Sequence, residues 1–322
     1  MKRLSMCLIA SIVLAVLTCI PCPAKESGPK DTGSGQVVNF GTLPVLQALP
    51  LYVAEEKGYF REMGIAVRLV RFNSAMEKDV ALSSGQIAGY FGDMMTPMVL
   101  NANNVPVKMV ATIFNTPKDQ RMFAILASPQ RKGATLSDIA KEGISVSSNT
   151  ILDYLTTRLL ASKGIGTDQI KPIEIKNIPL RMQMLLSGQI PAAVLPEPLA
   201  TLAEQKGAST LIDDAGAGIS STVLAFEERF LKNNGNVLTA FLKAVNKASV
   251  YINAHHDEVR TIMNRECRVP EPLQKSFPIP LFNKLTVPDR TQVMDVYNWL
   301  REKKIIKKEM TYKQIVLDGN LP

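Results

Sequence analysis

Two carboxylates stand at matching points of an internal repeat. Leu82-Ser83-Ser84-Gly85-Gln86-Ile87 returns 103 residues later as Leu185-Leu186-Ser187-Gly188-Gln189-Ile190. Each copy closes a helix-like run at a glycine and opens a stretch of small and apolar residues. The first stretch ends at Gly92-Asp93 and the second at Pro196-Glu197, so each delivers an acid to the C-terminal end of a strand. In open α/β sheets that edge binds ligands. Glycine is a common helix stop and such junctions recur independently; the shared Ser-Gly-Gln-Ile favours two related units. Glu197 beside Pro198 equally suits the start of a helix, where an acid meets the positive end of the dipole.

A second group is Ser147-Ser148-Asn149-Thr150, between a short strand and an apolar helix. Hydroxyls and free amides at a helix start can hold an anion, and the same residues serve as ordinary caps. Leu43-Pro44-Val45 and Asn73-Ser74-Ala75 occupy the corresponding turns of the first half, and Met94 follows Asp93. A thioether fills a core or lines a pocket equally well. Catalytic patterns are missing. The two histidines, His255 and His256, are adjacent and have no carboxylate at metal-site spacing. No Gly-x-Ser-x-Gly elbow, phosphate loop with lysine, or Cys–His pair occurs. We therefore expect no catalytic residue, metal or cofactor.

The elements that must position these groups alternate strand and helix. Strands are expected over 36–42, 65–72, 87–92, 107–114, 144–146, 170–175, 192–195, 210–212 and 223–226. Helices are expected over 46–57, 75–84, 94–102, 151–163, 179–187 and 199–206, then 237–254, 258–264 and 290–303. Short loops joining alternating strands and helices call for largely parallel sheets covered by helices. With 322 residues, 46% hydrophobic and 20% charged, the chain can bury two compact units. Its net charge of +8 is not gathered into a nucleic-acid stripe; the basic run 301–308 reads as the polar end of a helix.

Lys2 and Arg3 precede an apolar run over 8–17 broken only by Ser11, and small residues and prolines follow. That is the pattern of an export signal, too short to span a bilayer. Cleavage after Ala24 is one reading of residues 1–24. Lipidation of Cys19, behind a poor lipobox of Val16-Leu17-Thr18, is the other. Residues 25–36 are polar and Gly/Ser-rich, as a flexible tether is. Past Ala24 only Cys267 remains of the four cysteines, leaving no internal disulfide.

Residues 50–60 (PLYVAEEKGYF), Gly64-Ile65, 82–87 (LSSGQI), 185–193 (LLSGQIPAA) and 195–201 (LPEPLAT) resemble the nitrate/sulfonate/taurine-type periplasmic solute-binding proteins of ABC importers. Binders of thiamine precursors belong to the same broad group. The resemblance implies an α/β, two-lobed periplasmic-binding-protein fold, each lobe a mostly parallel sheet flanked by helices, with the ligand cleft between lobes. It places 37–118 and 222–322 in lobe 1, 119–221 in lobe 2, and the links near 115–123 and 216–223. The ligand contacts it implies are Leu43, Pro44, Asn73, Ser74, Asp93, Met94, Ser147, Ser148, Asn149, Thr150 and Glu197. It also implies a small-molecule ligand, an ABC permease of the inner membrane as partner, no nucleic acid, a monomer, and a periplasmic or cell-surface location. The alternatives are an enzyme on the same fold, or a ligand-sensing partner of a membrane receptor. Pyrimidine synthases use this fold, but their cysteine-rich motif is missing here. Nitrate, a sulfonate, a pyrimidine or another small organic acid all suit these residues. Asp93 and Glu197 would repel a bare anion, which favours a ligand with both donor and acceptor groups.

Exported protein should begin at or before Lys25. N-terminal sequencing and mass spectrometry check this: folded cytoplasmic protein that retains Met1 to Leu17 would contradict it, and a diacylglycerol on Cys19 would select the lipid-anchored form.

Overall fold

The computed structural model describes residues 37–322 other than Ser220, Asn320 and Pro322. The signal, the tether and Cys19 lie outside the described residues. Ten strands form two five-stranded sheets. The first contains β1 (Val38–Thr42), β2 (Val67–Arg71), β3 (Gly89–Asp93), β4 (Val107–Asn115) and β10 (Ser221–Glu227), in the order β2-β1-β3-β10-β4. The second contains β5 (Phe123–Ala127), β6 (Ile144–Val146), β7 (Pro172–Glu174), β8 (Ala192–Pro196) and β9 (Ser209–Asp213), in the order β7-β6-β8-β5-β9. In each sheet one strand alone runs against its neighbours: β10 between β3 and β4, and β5 between β8 and β9.

The helices that bear on the site are α1 (Leu49–Glu56), α2 (Ala75–Ser83), α3 (Met95–Ala102), α4 (Ile151–Ala161), α5 (Ile178–Leu186), α6 (Leu199–Gln205), α7 (Gly235–Ala254) and α8 (Arg290–Glu302). The polar residues ahead of them act as caps. Ser74 Oγ accepts the Glu77 amide at 3.2 Å, Asn177 Oδ1 the Leu180 amide at 2.9 Å and Thr150 Oγ1 the Leu152 amide at 3.2 Å. Among the described residues no helix is long and apolar enough to cross a membrane.

The repeat extends into the geometry. Every boundary of α2 and β3 reappears in α5 and β8 displaced by 103 residues. Both helices end in a left-handed glycine, Gly85 at φ 73° and Gly188 at φ 75°. The following amides close back identically, Gln86 N–H onto Ala81 O and Gln189 N–H onto Met184 O, both at 2.9 Å.

Two expectations needed revision. Residues 46–57 form a 3-10 turn, Leu46–Ala48, before α1, because Pro50 lacks the N–H that a single longer helix would need. And β5 was not expected at all, only its first residue falling within the expected link 115–123: its sequence FAILA is buried at all five positions, so it lacks the alternation that marks a half-exposed strand.

The chain leaves the first sheet at Asn115 and re-enters it at Ser221, so residues 116–122 and, among the described residues, 214–219 join the sheets. Strand register decides what faces these links. Asp93 and Phe114 both pair with Thr222, while Pro196 pairs with Phe123 and Asp213 with Ala124. The C-terminal ends of the parallel strands in both sheets therefore lie beside the links, and the loops after them converge on one region.

A methyl at Gly89 would meet the Phe226 ring at 2.5 Å and Ala225 O at 2.6 Å, whereas one at Gly85 meets nothing within 4 Å. Gly85→Ala should therefore cost only the left-handed penalty of about 1–2 kcal/mol. Gly89→Ala should cost more, on the order of 3 kcal/mol, because backbone must shift. Urea unfolding of both variants checks the order; equal losses would contradict the close β3–β10 approach.

Candidate functional site

The joint between the sheets is built on Asp214, which is fully buried. Its Oδ1 accepts the amides of Met122 and Phe123, each at 2.8 Å, and its Oδ2 accepts Thr116 Oγ1 at 2.9 Å. One carboxylate thus ties the outgoing link to the returning one. Ser221 Oγ lies against the side-chain amides of Asn115 and Gln292, the latter at 2.7 Å, and Gln292 Nε2 donates to Gly218 O at 2.5 Å. This brings the start of α8 onto the joint. Further along, α8 grips α4. Asp295 accepts from Tyr154 Oη at 2.6 Å and from Arg158 at 2.9 and 2.8 Å, and Trp299 meets the Tyr154 ring edge-on at 5.6 Å.

In the first sheet's loops, Leu43 O accepts from the Tyr52 hydroxyl at 2.7 Å and from the Val45 amide at 2.8 Å, just before Pro44. The Asn73 amide donates to Glu77 Oε2 at 3.1 Å, and Arg268 donates to Asn73 Oδ1 at 2.9 Å. Asp93 Oδ1 caps α3 through the amides of Met95 (3.0 Å) and Thr96 (2.9 Å). Asp93 remains partly exposed, while Met94 is buried in the core. Below this edge lies Lys78, 1% exposed, its ammonium 2.7 Å from Asp79 and 3.5 Å over the Tyr90 ring. Burial pulls this lysine below its ordinary value, and burial raises Asp79.

In the second sheet's loops, the Ser148 amide and hydroxyl both donate to Glu174 Oε2, at 2.9 and 2.5 Å. Burial alone would raise Glu174, but these bonds outweigh it and hold the carboxyl below its usual value. Asn149 adopts φ 61° and its amide donates to Asp153 Oδ2 at 3.0 Å. Thr150 caps α4 while its hydroxyl donates to Ser147 O at 2.7 Å. Ser147 Oγ accepts from Arg181 at 2.5 Å. Glu197 stands after β8, beside the links, but its carboxylate is occupied within its own half. It accepts Arg121 Nε at 2.7 Å and the Thr201 amide and hydroxyl, each at 3.0 Å.

Strand ends therefore bring Leu43, Pro44, Asn73, Ser74 and Asp93 to one side of the joint, and Ser147 to Thr150 and Glu197 to the other. Sequence reasoning missed Asp214, Arg121, Glu174, Lys78 and Arg181. Lys78 and Arg181 did carry a signal, because they are separated by the same 103 residues as the repeat. Two surface hollows lie elsewhere: one of about 370 Å³ around Asn39, Gln86, Glu227 and Asn234, another of about 650 Å³ around Tyr297, Arg301, Glu309 and Gln314. Neither is lined by the loops at the joint, which are where strand topology directs a ligand. Among the described residues no group of three or more His, Cys, Asp or Glu could hold a metal ion.

Two helix-covered, mostly parallel sheets joined by paired links define the two-lobed periplasmic-binding-protein fold. The periplasmic aliphatic sulphonate binding protein SsuA from Escherichia coli superimposes with a TM-score of 0.77 at 15% identity, covering 90% of this chain and 94% of that one. The periplasmic nitrate-binding protein NrtA from Synechocystis PCC 6803 gives 0.68 at 13% identity, covering 87% and 84%. The NMT1/THI5 like family matches residues 46–259, well over half of the chain, and the protein belongs to that family. A 4-amino-5-hydroxymethyl-2-methylpyrimidine phosphate synthase from Aspergillus parasiticus is 32% identical over 68 residues, 21% of this chain. The chain spans only 20% and 63% of the lengths of the curated relatives it matches.

Asp214→Ala would leave the buried amides of Met122 and Phe123 without their acceptor. It should lower stability by on the order of 3 kcal/mol in urea unfolding. A loss below about 1 kcal/mol would show that the joint does not depend on this carboxylate.

Proposed function

We propose that this protein is the extracytoplasmic solute-binding component of an ABC-type importer, which captures a small organic solute or oxyanion by closing two lobes. Residues 37–118 with 222–322 form one lobe in this reading, and 119–221 the other. The observation that carries it is the convergence of strand-end loops from both sheets beside the links tied by Asp214. Such loops can hold a ligand from two sides, and a ligand touching both binds the closed form better, shifting the population toward it.

The site's polar groups favour a ligand with both donors and acceptors. Asp93 offers a carboxylate from the first lobe, and the loop 147–150 offers the Ser147 hydroxyl from the second, with the hydroxyls of Ser148 and Thr150 becoming available when they exchange Glu174 and Ser147 O for a ligand. Glu197, held by Arg121, serves in this reading to brace the second lobe's wall. A role without catalysis is supported by the missing cysteine-rich motif and by Cys267, whose burial pushes its thiol up and away from reactivity. The expected partner is a membrane permease that meets a monomeric, exported receptor, with or without a lipid on Cys19.

A thermal-shift screen of nitrate, ethanesulfonate, taurine and 4-amino-5-hydroxymethyl-2-methylpyrimidine tests the reading. A ligand at a hundred times its dissociation constant should add ~2.7 kcal/mol of stability. Ser148→Ala combined with Thr150→Ala should then weaken binding by roughly 1–3 kcal/mol in calorimetry. Unchanged affinity would leave those residues as caps alone.

A further inference from the structure

Arg181 is the least expected residue of the second lobe. It lies on α5, is 0% exposed, and has no carboxylate within 4 Å among the described residues. Burial pushes its guanidinium down to about 10, so it remains charged near neutrality. A buried charge with no acid in contact is costly and is seldom kept without a use; only the exposed Glu174 acts on it, from a distance. Its bonds all run to the second sheet near the strand ends: Val194 O at 3.0 Å, Ile175 O from both Nε and Nη2, and Ser147 Oγ at 2.5 Å. Ser147 is only 7% exposed. Because its oxygen accepts from a cation, its own proton is free to donate, and a donor polarised in this way favours an anion.

The repeat sharpens the contrast. Lys78 is the counterpart of Arg181, so both lobes place a buried cation beneath the strand ends. In the first lobe Asp79 neutralises it at 2.7 Å. The counterpart of Asp79 is Met182, so the second lobe keeps the cation without an acid in contact with it. The nearest acid there is Glu174, which is exposed and bound to Ser148 instead.

We propose that Arg181, acting through Ser147, makes the second lobe the anionic-head subsite, so that the ligand's negative group lies against Ser147 and the α4 N-terminus. A donor on the ligand then faces Asp93 in the first lobe. Arg181 is a positioning residue here: it sets the charge of the wall without touching the ligand. The assignment rests on the cleft reading above and deepens it.

Calorimetry on the mature chain with ethanesulfonate, taurine and the uncharged pyrimidine tests both together. One of the two sulfonates should bind. Ser147→Ala should weaken that binding at least tenfold, and Ser147→Thr, which keeps the hydroxyl, should largely restore it. Arg181→Lys should weaken it as well, with apo melting followed in parallel to separate loss of fold from loss of affinity. If only the pyrimidine binds, and Ser147→Ala leaves its affinity unchanged, the anionic-head subsite is overturned while the cleft reading stands. A lower melting temperature for Ser147→Ala with unaltered sulfonate affinity also overturns it, by reducing Ser147 to a structural partner of Arg181. If none of the three binds, this assignment fails, and the solute-binding reading fails with it if nitrate does not bind either.

Discussion

The carboxylate of Asp214 holds the two crossovers of the chain against each other, and the placement of every loop at the site follows from that tie. Three donors from 116–123 converge on one buried acid, Asp214, in the returning link. Without it, two buried amides would lack an acceptor, a cost that a marginally stable fold meets poorly. The tie makes the ends of β4 and β9 neighbours of the starts of β5 and β10. Register then carries the ends of β3 and β8 to the same place. The α8–α4 contact adds a second connection between the halves through Asp295, Arg158 and Tyr154. Its side chains are partly exposed, so each ion pair adds about 1 kcal/mol or less. Asp214 therefore acts as the pivot and α8 as a strut alongside it.

Around that pivot the halves are built alike and charged differently. Helices α2 and α5 have the same length, the same glycine stop and the same strand after it. Each points a long cation inward at the same turn. Lys78 is balanced at once by Asp79, and its ammonium also lies over Tyr90, a geometry that offsets part of the desolvation. Arg181 is satisfied only by neutral oxygens. The duplicated scaffold thus offers one wall with a partly exposed acid, Asp93, and another backed by a cation with no acid in contact, a polarity suited to a ligand with unlike ends.

Much of this was legible from residue order. Ile144–Val146 was read at its observed bounds, and the helices around Gly85 and Gly188 to within a residue, because periodicity and glycine stops are local signals. The cap residue Thr150 was also evident, since capping acts over three positions. What escaped was non-local or uniformly buried. FAILA has no polar face to betray a strand. The partner of Glu197 lies 76 residues away at Arg121, so its commitment to that arginine could not be read from spacing. Arg181 and Lys78 sit in amphipathic helices where a cation is ordinarily assigned to the solvent face. Only the repeat, extended four residues upstream, linked them.

The central claim is that one ligand is held by loops of both lobes at the joint. Hydrogen–deuterium exchange on the mature protein, with and without the tightest binder from the screen, tests it most directly. The account predicts slowed exchange on binding in two sets of amides at once, 42–45, 73–75 and 94–96 on one side and 147–152 on the other. Protection confined to one lobe, or centred on the hollow beside Asn39, Gln86 and Asn234, would contradict it.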